Sequence, residues 1–181
     1  MNANRFRQVV GAWPRVIPAV ALVTIVLDQA SKLAVVFGLD LVNLGEIDMA
    51  PPYLVFRMAW NQGMNFGLFG DGSAVVRWTL IAVALVISGW VWVWVRREKG
   101  GVWVQVAAGL LIGGALGNVI DRIAYGAVAD FINMSCCGIE NPFAFNVADV
   151  AIFAGAFGLV ILSNGKGGGG QAGGRRRRKT P

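Results

Sequence analysis

Apolar residues in this chain form long runs that polar segments separate. Four runs stand out, at about residues 16–38, 74–95, 102–122 and 145–162. A helix that crosses a membrane needs about 20 consecutive, mainly apolar residues. The pattern therefore predicts an all-α polytopic membrane protein with four transmembrane helices.

The polar interval between the first two helices has a different pattern. LVNLG and YLVFRMAWN are typical of short extended segments, and four glycines between residues 63 and 72 indicate turns. We expect residues 39–73 to form a small amphipathic β-sheet on the outer membrane face. The later interval, residues 123–144, is predicted to be a loop.

Composition agrees with a membrane protein. The 181 residues are 56% hydrophobic and only 14% charged, whereas a soluble domain carries about 25% charged residues. Residues 1–164 are predicted to form one domain. Residues 165–181 are rich in glycine and arginine, which predicts a disordered cytoplasmic tail.

Basic residues predict the orientation of the helices. Four spans place both termini on one side, and 12 of the 16 Lys and Arg residues lie on that side. Short loops rich in Lys and Arg stay in the cytoplasm, so both termini are predicted to be cytoplasmic. Nearly all acidic residues then face outward. We expect the basic tail to attract anionic lipid rather than nucleic acid.

Residue types restrict the chemistry. The chain has no histidine, which excludes Ser–His and Cys–His nucleophile pairs and most zinc sites. The two cysteines, Cys136 and Cys137, are adjacent and lack the usual metal-ligand spacing. We interpret them as two small loop residues, either buried or oxidised, and expect neither a metal nor a cofactor. Carboxylates are therefore the main candidates for catalysis.

Ionisable residues within a membrane are costly and indicate function by default. Asp28 and Lys32 are four residues apart on the first helix, which predicts either a self-neutralising ion pair or contact with a substrate. A protease dyad of Ser31 and Lys32 is disfavoured because adjacent helical side chains point about 100° apart.

The end of the third helix combines small and charged residues. Three glycines in GGALG predict close packing against a neighbouring helix. Asp121 is interpreted as an interfacial anchor that has a charge partner. The planar guanidinium of Arg122 suits a substrate carbonyl or a lipid phosphate.

Asp130 and Asp149 are the strongest catalytic candidates, because each has apolar neighbours and each lies near the outer interface. A lone aspartate at a helix start is often a cap, and that alternative stays open for Asp149. Two carboxylates in contact cannot both ionise readily, so one keeps a proton while the other acts as a base. Such a pair activates water against a peptide carbonyl. Amide side chains that could orient it are Asn61, Asn118 and Asn146.

Five motifs along about 150 residues resemble those of the lipoprotein signal peptidases (signal peptidase II). They are DQASK at 28–32, WNQGMNFG at 60–67, GGALGNVIDR at 113–122, VADF at 128–131 and FNVADVAI at 145–152. The last three together, in this order, are highly specific. The sequence departs from the family pattern at Gln62 and at Met64-Asn65. The shape of the lipid-side pocket therefore does not follow from the resemblance.

The resemblance implies a bacterial intramembrane aspartyl protease with Asp130 and Asp149 as the catalytic pair. It implies substrate-binding or supporting roles for Asn61, Asn118, Arg122, Asn146, Asp28 and Lys32. The implied substrate is a diacylglyceryl-modified prolipoprotein, cut before its lipidated cysteine. The implied location is the inner membrane, with the active site at the outer face and membrane lipids as further partners. We expect a monomer.

Two other functions remain as alternatives. A small ion-coupled membrane carrier would use the same two aspartates to bind a cation or to relay protons. Such carriers often show inverted repeats or broken helices, and the sequence has no evident repeat. A non-catalytic helical scaffold would not explain the amide residues around both aspartates.

Overall fold

The computed structural model describes residues 15–51, 53–63, 74–98, 100–138 and 141–164. The predicted disordered tail at 165–181 and part of the WNQGMNFG motif lie outside these residues. The helical elements are α1 (Val16–Lys32), a π-helical continuation of it (Leu33–Gly38), the short α2 (Leu41–Leu44), α3 (Ala74–Arg97), α4 (Val102–Tyr125) and α5 (Val147–Asn164).

Three of these helical stretches are long and apolar enough to cross a membrane: Val16–Gly38, Ala74–Arg97 and Val102–Tyr125. The apolar part of α5, Val147–Leu162, is shorter. The predicted class is therefore confirmed as a mainly helical protein with membrane-spanning helices. The count of four spans stays a prediction.

Helix α4 lies at the centre of the fold, because it packs against α1, α3 and α5. Its glycines allow this close packing. A Cβ atom at Gly113 would lie 2.7 Å from the carbonyl oxygen of Ala21 in α1, and one at Gly114 would collide with Ala148 in α5. The close packing predicted from GGALG is confirmed.

Gly117 provides the most informative test of this packing. A Cβ there would lie 2.8 Å from Asp28 Oδ2, a buried carboxylate oxygen. We expect Gly117→Ala to lower the free energy of unfolding by about 1–3 kcal/mol, because an overpacked core must shift. Thermal unfolding in detergent micelles measures this. Gly89→Ala in α3 is the matched control, since nothing lies within 4 Å of a Cβ at Gly89. An equal loss in both variants would contradict the close contact.

The sheet has three antiparallel strands in the order β1 (Glu46–Ala50), β2 (Leu54–Asn61) and β3 (Val128–Asn133). The prediction of a sheet only between the first two helices was therefore incomplete. The third strand comes from the segment predicted to be a loop. VADFIN is buried along almost its whole length, so it lacks the alternation that reveals a strand in sequence, and its partner is about 70 residues away.

Strand β3 is held on several sides. Phe131 and Ala129 pack with Val36 of the π-helical segment and Leu41 of α2. On the edge away from β2, Phe145 exchanges backbone hydrogen bonds with Ile132 at 2.8 and 2.9 Å. A strand fixed in this way gives its side chains little freedom to move.

Candidate active site

Asp130 lies on β3, opposite Ala59 of β2. Asn61 is two residues beyond Ala59 and therefore shares a face of the sheet with Asp130. Its side-chain amide donates to Asp130 Oδ2 at 3.0 Å, while Gly63 N–H donates to Asn61 Oδ1 at 3.0 Å. The strand register, rather than the preceding helix, places this carboxylate.

Asp149 is the third residue of α5, and Asn146 immediately precedes that helix. The Asp149 N–H donates to Asn146 Oδ1 at 2.9 Å, and the Asn146 N–H donates to Asp149 Oδ2 at 3.3 Å. This reciprocal pair is a capping box. The helix cap that remained an alternative interpretation of Asp149 is thus present, and it occupies one oxygen of the carboxylate.

Asn146 joins the two carboxylates. Its side-chain nitrogen donates to Asp130 Oδ1 at 2.6 Å, and its backbone N–H donates to Asp149. Asn118 of α4 completes the group, because its amide donates to Asp149 Oδ1 at 2.9 Å and accepts a 3.3 Å bond from Asn146. Four of the candidates named from sequence therefore form one hydrogen-bonded cluster: Asn118, Asp130, Asn146 and Asp149. Asn61 lies at its exposed edge.

Burial raises the pKa of Asp130 to about 6, and the negative charge of Asp149 adds to this effect. Hydrogen bonds from Asn61 and Asn146 act in the opposite direction. A carboxyl group with such a pKa holds a proton more readily than an ordinary aspartate. Asp149 instead lies at a helix N-terminus, where a negative charge is favoured.

This raised pKa predicts how stability changes with pH. The folded chain binds the proton more tightly than the unfolded chain, so stability falls as pH rises from about 4 to about 6. We expect Asp130→Asn to abolish this pH-dependent loss, which is on the order of 1–2 kcal/mol between pH 4 and pH 7 when partial screening by solvent is allowed for. Thermal unfolding of both proteins between pH 4 and pH 8 measures the difference. Parallel curves would contradict the raised pKa.

A second polar cluster lies behind the first. Asp28 is fully buried, with 0% exposure, and its Oδ1 accepts the Ala148 N–H at 2.9 Å. Asp121, also 0% exposed, accepts the Ala129 N–H on Oδ2 at 3.2 Å. Each buried carboxylate thus holds the backbone of the residue immediately before one of the two site aspartates.

Lys32 connects these two carboxylates. Its ammonium lies 2.7 Å from Asp28 Oδ2 and 2.8 Å from Asp121 Oδ2. Gln29 adds amide bonds to Asp121 at 2.9 Å and to Asp28 at 3.1 Å. The self-neutralising pair predicted for Asp28 and Lys32 was therefore incomplete, because Lys32 also neutralises a carboxylate from α4. Neither residue contacts Asp130 or Asp149 directly in the described hydrogen bonds.

Arg122 faces the site without an ion pair in the described part of the chain. Its guanidinium donates to the Asn118 carbonyl at 3.3 Å, and its charge interacts with those of Asp130, Asp149 and Asp121. It is half-buried, so part of the group stays open to a ligand. Within the described residues, no cluster of three or more His, Cys, Asp or Glu side chains is placed to hold a metal ion.

Sequence reasoning missed the role of Gln29, and it predicted a charge partner for Asp121 without identifying Lys32 as that partner. A signal for Gln29 was available. Residues 28, 29 and 32 lie on adjoining faces of one helix turn, so DQASK places an amide beside the Asp28–Lys32 pair. The partner on α4 depends on helix packing, which a single sequence does not reveal.

Comparisons with known proteins extend these observations. The family model described as signal peptidase (SPase) II matches residues 20–164. A lipoprotein signal peptidase of Methylorubrum extorquens is 47% identical over 140 residues, which cover 77% of this chain and 80% of that protein. A lipoprotein signal peptidase of Pseudomonas putida is 36% identical over 160 residues, covering 88% and 89%.

A solved structure described as a bacterial membrane enzyme has the same fold. Its TM-score is 0.68 at 25% identity, and the match covers 83% of this chain and 93% of the other. The relatives are peptidases, and the carrier alternative gains no support from them. From the family match over most of its length and from these identities, the chain belongs to the signal peptidase II family.

Proposed function

We propose that this protein removes the signal peptide from diacylglyceryl-modified prolipoproteins and cuts before the lipidated cysteine, using Asp130 and Asp149 to activate water. The observation that carries the proposal is that one residue, Asn146, binds both carboxylates in a chain of the signal peptidase II family. Two neighbouring carboxylates that share one proton are the known arrangement for aspartyl proteolysis.

Asp149 acts as the general base. Donors from Asn118 and from the Asn146 backbone hold its carboxylate, and the helix N-terminus favours its negative charge. Asp130 acts as the general acid, since its raised pKa lets it keep a proton beside that carboxylate.

The reaction follows from these roles. Asp149 takes a proton from water while the water oxygen attacks the scissile carbonyl carbon, and Asp130 gives its proton to the carbonyl oxygen. Asp149 then passes the captured proton to the leaving amine as the tetrahedral intermediate collapses. The new carboxyl group forms when the hydroxyl proton returns to Asp130, so the dyad ends with one proton, as it began.

The remaining site residues divide into two groups. Asn61 is exposed and Arg122 is half-buried, so both are available to substrate, and Arg122 suits its carbonyl groups or a lipid phosphate. Asp28 and Lys32 support the site from behind through Ala148 and through Asp121. Supporting groups of this kind keep catalytic atoms in position.

We further propose four membrane spans, with α5 as the fourth. Its 18 residues give about 27 Å of helix, close to the thickness of the hydrocarbon core of about 30 Å.

With four spans, both termini face the cytoplasm, and the sheet and both aspartates face the outer side of the inner membrane. A lipid-anchored substrate reaches this depth by diffusion within the membrane. One monomeric domain in contact with membrane lipids is sufficient for the reaction.

A gel-shift cleavage assay tests this function. Purified enzyme is mixed with a prolipoprotein that carries or lacks diacylglycerol on its cysteine, and Asp149→Asn is run in parallel. We expect cleavage of the lipidated form alone, and none by the variant. A folded wild type that cuts neither substrate would contradict the proposal. Cation binding that depends on both aspartates would then point to the carrier.

A further inference from the structure

Cys136 and Cys137 lie outside the catalytic cluster, and both thiols are exposed. Their sulfur atoms are 2.7 Å apart. Side chains of neighbouring residues in an extended strand point to opposite faces. This pair therefore needs a local backbone conformation that turns both sulfurs to the same side.

The backbone at this point supplies that conformation. Cys137 has a φ of +61° and Gly138 a φ of +81°. Among the described residues, Asp40 is the only other non-glycine with a positive φ. A left-handed conformation is unusual for a side chain such as that of cysteine. The turn therefore holds the two thiols together at a conformational cost.

The loop that carries the turn is closed at its base. Asn133, the last residue of β3, donates its side-chain amide to the carbonyls of Asn141 and Phe143 at 2.7 and 2.8 Å. Asn141 N–H also donates to Ser135 Oγ at 3.0 Å. These bonds fix the loop on both sides of the cysteines, which leaves the pair at its exposed part.

We propose that Cys136 and Cys137 form a reversible disulfide between neighbouring residues, made by thiol–disulfide exchange with an incoming disulfide of a low-molecular-weight thiol or of another protein. Disulfide formation is favoured outside the cytoplasm. That location rests on the proposed orientation of the chain, whereas the chemistry of the pair does not.

The exchange balances in two steps. The Cys137 thiolate attacks one sulfur of the incoming disulfide, forms a mixed disulfide and releases one thiolate. Cys136 then loses its proton and attacks the Cys137 sulfur, which closes the ring and releases the second thiolate. The protein loses two electrons and two protons, and the incoming disulfide becomes two thiols.

The order of attack follows from the contact between the two residues. The Cys136 thiol donates to Cys137 Sγ, and this hydrogen bond raises the pKa of Cys136 above its ordinary value. Cys136 therefore keeps its proton longer and serves as the resolving thiol. The first attack is therefore assigned to Cys137, whose sulfur accepts the hydrogen bond.

Reversibility follows from the spacing of the residues. Consecutive Cα atoms are about 3.8 Å apart across a trans peptide, whereas disulfides usually join Cα atoms about 4.4–6.8 Å apart. A bond between neighbours is therefore strained, and strained exposed disulfides are the labile ones. The pair is suited to repeated oxidation and reduction rather than to bracing the fold.

Oxidised glutathione provides the probe, and the full-length enzyme in detergent micelles provides the protein. The chain has only two cysteines, so the readout is unambiguous. After exposure and alkylation of remaining thiols, mass spectrometry should show the loss of two hydrogens, no alkylation and no glutathione adduct. Dithiothreitol should restore two alkylatable thiols. Cys136→Ser should instead retain one glutathione on Cys137.

A denatured sample controls for the turn. We expect the folded chain to close the disulfide at least about 10-fold more readily than the denatured chain, because the fold holds the sulfurs in contact. Equal closure in both samples would overturn the role of the turn. Two glutathiones on each chain, disulfide-linked dimers on a non-reducing gel or persistently alkylated thiols would overturn the proposal itself.

Discussion

Asp149→Asn is expected to lower kcat by at least about 10³-fold while the protein stays folded, and Asp130→Asn is expected to do the same. General acid–base groups each contribute about 10²–10⁴-fold to the rate. Removal of one member of a catalytic unit costs about as much rate as removal of the whole unit. The amide keeps the shape of the side chain, and its oxygen still accepts the Asn146 N–H at position 149. It removes the group that takes up the proton and, with it, the oxygen that accepts the Asn118 amide. Single-turnover cleavage of lipidated prolipoprotein measures this loss.

Asp48→Asn is the matched control for these variants. Asp48 is an exposed aspartate on β1, and it belongs to neither polar cluster, so turnover should equal that of the wild type. Thermal unfolding of each variant separates lost chemistry from lost folding. Substantial turnover by purified Asp130→Asn or Asp149→Asn would remove that residue from the catalytic pair.

Lys32→Met is expected to lower the free energy of unfolding by about 3–5 kcal/mol, because it leaves two buried carboxylates without their cation. Lys32 itself is only 4% exposed, and its ammonium lies within 2.8 Å of both Asp28 and Asp121. Apparent melting temperature in detergent, with expression level as a second readout, measures the loss.

Glu46→Gln is the control for breaking an ion pair that is exposed. Arg57 lies 2.8 Å from Glu46, and both side chains are exposed to solvent. Exposed pairs contribute about 0–1 kcal/mol, so this variant should melt close to the wild type. Similar losses in the two variants would show that burial of the Lys32 cluster does not determine its energy.

Asp28→Asn distinguishes support from catalysis. Asparagine at this position can still accept the Ala148 N–H, but it no longer neutralises Lys32. We expect a lower melting temperature and expression level, with turnover at saturating substrate affected less. The opposite result, stable protein with lost turnover, would place Asp28 in the active site.

The sequence was sufficient for the features that depend on local pattern. Hydropathy over about 20 residues is a local property, so it placed the helices close to their observed positions. The small residues of GGALG predicted the close packing of α4, because only glycine lets two backbones approach so closely. The site residues came from the scarcity of charge in apolar runs, together with motifs that resemble one family.

Tertiary structure determined how those residues meet. The strand that carries Asp130 pairs with residues about 70 positions earlier, and no local periodicity predicts such pairing. The buried carboxylates of Asp28 and Asp121 hold the backbone beside each catalytic candidate, which requires α1, α4, β3 and α5 to be packed together. A sequence can therefore show which groups are costly to bury. Only the packed chain shows which partners compensate that cost, because hydrogen bonds and ion pairs depend on distances between segments far apart in sequence.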